Sequence, residues 1–218
     1  MAEALADGVG VELHEQFTEV RQQRHAAALG MWSWLLTELL LFAGLFLIAL
    51  ILRMLHPASV QNATRHLEFW IGCANTAILI VSSLTMSGAI VSSRLGLQRI
   101  MVWCMYATAA FGTGFLVLKG YEWYKDYLDH LVPFMARPYD LAGDPYSILY
   151  VDLYYVATAL HGFHLLTGVS ILLVLAVQAR AEGYLSRHQN RIEVYGLYWH
   201  FIDLMWIMVW TIIYVMNR

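Results

Sequence analysis

Five ionisable side chains stand in stretches that are otherwise almost wholly apolar. They are Glu38 in MWSWLLTELLLFAGLF (31–46), His161 and His164 in ALHGFHLLTGVSILLV (159–174), and His200 and Asp203 in LYWHFIDLMW (197–206). An imidazole in such a setting can ligate haem or metal, carry a proton, or hydrogen-bond a neighbour. A carboxyl can hold a proton or bond across helices. His161 and His164 are three residues apart, as are His200 and Asp203. Each pair therefore shares a helix face and presents two polar groups to one neighbour. On this spacing His200 and Asp203 point together into a bundle, with Trp199 and Trp206 covering other faces. Two readings fit. A haem b needs two histidines from facing helices, and His164 with His200 is such a pair. Alternatively the same groups hydrogen-bond one another and fix helix register, as polar side chains between membrane helices do. Glu38 fits proton handling or simple interhelical bonding.

The elements that position these groups follow from composition. Of 218 residues, 60% are hydrophobic and only 13% charged, about half the usual charged share, and the mean hydropathy is +0.56. A soluble chain this apolar lacks the polar surface to cover itself, so membrane spans are expected. The net charge is −3 with scattered basic residues, which argues against nucleic acid as a partner. Cys73 and Cys104 lie inside apolar runs and read as small hydrophobes, neither a disulfide framework nor a zinc site. The first 19 residues carry Glu3, Asp7, Glu12, Glu15 and Glu19 without lysine or arginine, and no apolar run precedes Met31. Residues 1–30 therefore read as a polar cytoplasmic segment and not as a signal peptide.

Five stretches are long enough to cross a bilayer, which takes about 20 residues: 31–52, 69–91, 99–119, 151–178 and 194–216. Their length without period-2 alternation selects helices over a barrel. The predicted fold is an all-α integral membrane protein, a five-transmembrane-helix bundle over residues 31–218 with no internal repeat. Loop 120–150 holds Pro133, Pro138 and Pro145 with Glu122, Asp126, Asp129, Asp140 and Asp144. The acidity of that loop and the short basic loop 92–98 place the N-terminus in the cytoplasm and the C-terminus outside. Trp32, Trp34, Phe69, Trp70, Tyr121–Tyr124, Tyr154, Tyr155, Tyr195, Tyr198 and Trp199 read as interfacial belts. At a rise of about 1.5 Å per residue the five ionisable groups share the middle and inner half of the bilayer. Span two adds Ser82, Ser83, Thr85 and Ser87, and Gly112, Gly114, Gly162 and Gly168 permit close helix approach.

Three segments resemble signatures of subunit III of haem–copper oxidases. A W-H-F-x-D-x-x-W segment is matched by Trp199, His200, Phe201, Asp203 and Trp206. An H-G-x-H-x-x-x-G segment is matched by His161, Gly162, His164 and Gly168, and an early helix glutamate by Glu38. A K-x-x-E-W element is matched by Lys119, Glu122 and Trp123. The resemblance spans about residues 30–216, and it is to the short, five-helix bacterial type. It implies a bacterial inner-membrane subunit without haem, copper or catalytic residue of its own. Haem and copper belong to the partner subunits. The implied partners are oxidase subunits I and II, with subunit IV or a respiratory supercomplex as further candidates, and phospholipid. It implies support of proton uptake into a complex that passes electrons from cytochrome c to O2. Glu38 favours the cytochrome c branch over the quinol oxidase branch; the accessory protein of nitric oxide reductases is also related. On this reading His161, His164, His200, Asp203 and Glu122 form a structural polar network. Glu38 is a buried carboxyl touching lipid or tuning proton entry, and Arg94, Arg99 and Arg191 meet lipid headgroups. A haem-binding membrane anchor is the rival from another class.

Overall fold

The computed structural model describes residues 19–133, 141, 143–181 and 184–216. Residues 1–18, with Glu3, Asp7, Glu12 and Glu15, and Arg137, Pro138 and Asp140 lie outside the described residues. The elements in chain order are α1 (Val20–Leu55), α2 (Pro57–Thr64), α3 (Phe69–Arg94), α4 (Gln98–Leu128), α5 (Pro145–Gln178) and α6 (Tyr184–Val209). A π-helical stretch, Trp210–Val215, continues α6. Five of the helices are long and apolar enough to cross a membrane. With the family assignment below, the chain is a multi-pass membrane protein.

Local chemistry sets the ends. Pro57 and Pro145 open α2 and α5, where the missing N–H costs nothing, and the Asp144 carboxylate accepts from the Tyr146 N–H as an N-cap. Gly96 has φ of 74°, and that left-handed residue lets α3 turn into α4. His130 takes the same region with φ of 55° after α4, where Leu131 N–H reaches back to the Asp126 carbonyl at 2.9 Å.

The helices overrun the stretches read from hydropathy. α1 begins at Val20 and not at 31, α4 runs on to Leu128, and α5 starts at Pro145. Charged residues inside the helix ends, such as Arg21, Lys125 and Asp126, stop a hydropathy window well before they stop a helix. The connection read as 120–150 therefore shrinks to 129–144, and a short helix, α2, lies between the first two spans.

α3 and α4 form a long hairpin; α4 packs on α5, α6 packs on α3 and α5, and α1 lies across α5 and α6 with α2 resting on α5. Trp199 and Trp206 fill the centre with Phe115, Leu79, Met86, Met101 and Met105, all fully buried. Gly112 makes this possible: a Cβ there would lie 2.8 Å from Val169 Cγ2 and 2.9 Å from the Trp199 ring. A Cβ at Gly114 or Gly162 would meet nothing within 4 Å, so those two mark no close approach. The belt reading divides likewise. Trp32, Trp70, Tyr121 and Tyr124 are exposed, whereas Tyr154, Tyr155, Tyr195, Tyr198 and Trp199 are core. Their hydroxyl and indole groups find partners inside the bundle, which lets large aromatics pack there.

Candidate functional site

The ionisable groups sort into three places. The first lies between α1 and α5. His164 Nδ1–H donates to the Leu160 carbonyl at 2.7 Å, and Nε2 lies 3.0 Å from Glu38 Oε2. Because a carbonyl can only accept, Nδ1 carries a proton. The Nε2–Oε2 contact then closes with one proton between the two atoms, as acid and imidazole or as carboxylate and imidazolium. Trp34 and Phe42 pack around the ring, with centroids 6.5 and 5.9 Å away. The pair forms the wall of a cleft of about 560 Å³ between α1, α5 and α6, lined by Met31, Phe163, Ile171, Leu175 and Tyr198 among others. Asn190 and Arg191 lie in the same lining, 26 to 27 residues along the chain from His164, at the start of the fifth span.

The second place is mid-bundle. His200 bonds α3 and not Asp203: its Nδ1 is 2.8 Å from Ser83 Oγ and its Nε2 3.5 Å from Ser87 Oγ. Both carboxyl oxygens of Asp203 are buried without a closed hydrogen bond, although the Ser83 hydroxyl acts on that carboxyl as well. The contact fits either tautomer: an Nδ1–H donates to Ser83 Oγ and leaves the Ser83 proton for Asp203, whereas a bare Nδ1 takes that proton itself. His161 is fully buried with neither ring nitrogen hydrogen-bonded, packed against Phe115 at 5.3 Å and Trp206 at 5.0 Å. The five residues read as one network are thus divided. His164 turns to α1, His200 to α3, and His161 into an aromatic cage. The two histidines that would bracket a haem iron engage different helices. Among the described residues no three histidine, cysteine, aspartate or glutamate side chains converge as a ligand set.

The third place was read only in part. Lys119, Glu122 and Asp126, all buried, lie on one face of α4. Lys119 Nζ donates to Tyr154 Oη at 3.0 Å and Tyr214 Oη at 2.9 Å and forms an ion pair with Glu122 Oε2 at 3.0 Å. Tyr154 and Tyr214 donate to Glu122 Oε1 at 2.9 and 2.7 Å, and Tyr155 donates to Asp126 at 2.9 Å. The spacing 119, 122, 126 carries the signal, one helical face by the i, i+3, i+7 rule. Ending the span at 119 hid it. Glu122 therefore joins this cluster and none of the histidines.

The arginines differ among themselves. Arg94 pairs with Glu193 at 2.8 Å, Arg99 is exposed, and Arg191 lines the cleft. Beside it, burial raises the Tyr184 hydroxyl above its usual range, with Arg191 opposing. Across the bundle Asp144 is held below its ordinary value of 3.8 by bonds from Ser59, Ser147 and the Tyr146 N–H.

Taken together these features define a class: a five-span helix bundle knitted by intramembrane polar groups, with a largely apolar cleft open along one side. The chain belongs to the cytochrome c oxidase subunit III family, whose pattern matches residues 12–218. Curated relatives agree. Cytochrome c oxidase subunit 3 of Alkalihalophilus pseudofirmus is 31% identical over 193 residues, covering 87% of this chain and 86% of the relative. That of Thermostichus vulcanus is 29% identical over 87% of each chain. Cytochrome bo(3) ubiquinol oxidase subunit 3 of Pseudomonas aeruginosa is 28% identical over 86% of this chain and 84% of the relative.

Proposed function

We propose that this chain is the non-redox subunit III of a proton-pumping cytochrome c oxidase in a bacterial inner membrane, seated against subunits I and II. Residues 31–218 form one membrane domain with the N-terminus in the cytoplasm. The cleft takes a phospholipid acyl chain, Arg191 meets the headgroup phosphate, and the Glu38–His164 pair holds one proton at the lipid-facing wall. The observation that carries this is the cleft itself. A long apolar hollow with a single-proton pair on its wall and a cation in its lining suits an amphiphile with an anionic head. Glu38, which the resemblance ties to the cytochrome c branch, supports that donor over quinol.

The test uses the purified complex. Lipid counted by native mass spectrometry should fall in Glu38→Ala and Arg191→Ala, and Glu38→Gln, which keeps a hydrogen bond to His164, should retain it. Electron transfer to O2 from reduced cytochrome c should persist in all three. Unchanged lipid content in Arg191→Ala and Glu38→Ala overturns the cleft assignment. Turnover with quinol and none with cytochrome c overturns the donor. Iron held by the isolated chain overturns the subunit reading in favour of a haem-binding anchor.

A further inference from the structure

The charges buried toward the end of α4 do not cancel. Lys119, Glu122 and Asp126 are 4%, 0% and 2% exposed. Lys119 and Glu122 pair at 3.0 Å and are neutral in sum, whichever of them holds the proton between the two atoms. Asp126 is then left over. Its Oδ2 accepts from the Tyr155 hydroxyl at 2.9 Å and lies 3.5 Å from the Tyr154 hydroxyl, and both of those donors are uncharged. The charged and titratable groups about it are Lys119 and Glu122 on α4, Tyr154 and Tyr155 on α5, and Tyr214 on the π-helical stretch. Lys125, its neighbour along α4, is held by Glu68 at the start of α3. Among these groups no cation is left for Asp126.

An ionised Asp126 leaves a net negative charge in this interior, which is costly without a partner. A protonated Asp126 makes the cluster neutral and keeps the Tyr155 bond, because the carbonyl oxygen of the acid also accepts. Position lets that proton come and go. Asp126 stands two residues before Leu128, the last residue of α4, about 3 Å along the axis. Tyr127 and Leu128 beside it are 54% and 58% exposed, and Asp129 is exposed. Lys119, nine residues before the same end, lies about 14 Å in. One carboxyl is therefore within a side chain's length of water, while the neutral pair stays inside.

We propose that Asp126 is a binding site for one exchangeable proton, taken from and returned to the water at the membrane face that carries α2 and the 129–144 connection. Uptake forms the carboxyl O–H bond from a proton of that water. Release leaves a carboxylate whose donors are the Tyr155 and Tyr154 hydroxyls. The site is separate from the Glu38–His164 pair, which lies between α1 and α5. The test takes the purified complex, in light buffer, through a jump from acid to alkaline pH. Asp126→Asn should release about one proton per copy fewer than wild type. Its infrared difference spectrum should lose one carboxylic-acid C=O band, a band that shifts in heavy water, and Glu38→Gln should keep that band. Asp126→Glu retains an acid at the site and should move the band to a new frequency, which tests the proposal if the asparagine variant fails to assemble. In wild type, heavy-carbon labelling of the aspartate carboxyls should shift the same band, with no substitution needed. An equal proton count in wild type and Asp126→Asn overturns the proposal. So does a spectrum that neither variant alters, or one that aspartate labelling leaves in place.

Discussion

The cluster around Lys119 and the layer around His200 are both polar, both buried in apolar helices, and built on opposite rules. At the α4–α5 end, one lysine and two carboxyls are enclosed with three tyrosines, and Lys119 donates to Tyr154 and Tyr214 while pairing its charge with Glu122. In the middle of the bundle, His161 has no hydrogen bond and Asp203 closes none. A full charge in a low-dielectric interior must be paired and bonded or the chain does not fold around it. A neutral imidazole or acid can stay partly unmatched at the cost of one weak bond. Closed networks therefore mark where the bundle holds itself together. Open valences mark where packing alone holds the group.

The largest expected effect breaks the closed side. Lys119→Met leaves Glu122 buried without its cation and should cost about 3–5 kcal/mol, read as a lower melting temperature and a lower yield of the complex. Changing Lys119 and Glu122 together to Met should recover most of that loss, since an apolar pair leaves no charge behind. A single mutant that melts like wild type would show that the cluster is not charge-coupled. Next comes Tyr214→Phe. It removes a donor 2.7 Å from Glu122 and an acceptor 2.9 Å from Lys119, and about 1–3 kcal/mol is expected. Because Tyr214 lies in the π-helical stretch, hydrogen exchange should rise at 210–215 first.

Much of this was legible in residues and some was not. Five spans and the family followed from apolar runs and from the motifs around Glu38, His161, His164, His200 and Asp203. Partnership did not follow, because spacing fixes which residues share a face and says nothing of what the opposite helix offers. His200 and Asp203 share a face of α6, yet His200 bonds serines of α3. Glu38 finds His164 across 126 positions of chain, a pairing that no local pattern encodes. The Lys119 cluster was masked for a different reason. Its charges lower hydropathy at the end of a helix, so the very residues that anchor α4 made it look like a loop.

A carboxylate outside the membrane sharpens the contrast, because water replaces the missing partners. Asp144 caps α5, and its depressed value means that its bonds to Ser147, Ser59 and Tyr146 favour the ionised form. The sign follows: that stabilisation is present above the ordinary value of 3.8 and is lost as pH falls through the lower folded value. Asp144→Ala should cost about 1 kcal/mol at neutral pH, the usual worth of an N-cap. The gap between mutant and wild-type melting should close in acid; a gap independent of pH would mean that the charge plays no part.

The smallest effect belongs to the open side. His161 is as buried as Lys119 and sits 5.3 Å from Phe115 and 5.0 Å from Trp206, but it has no hydrogen bond to lose. Replacing it by leucine trades one packed apolar contact set for another and removes two unmet ring nitrogens, so the melting temperature should shift by less than about 1 kcal/mol equivalent. His164→Leu, three residues on, should cost about 1–3 kcal/mol by stranding Glu38. Equal losses from the two substitutions would mean that His161 has a polar partner after all. The division between closed and open regions would then have to be redrawn with His161 on the closed side.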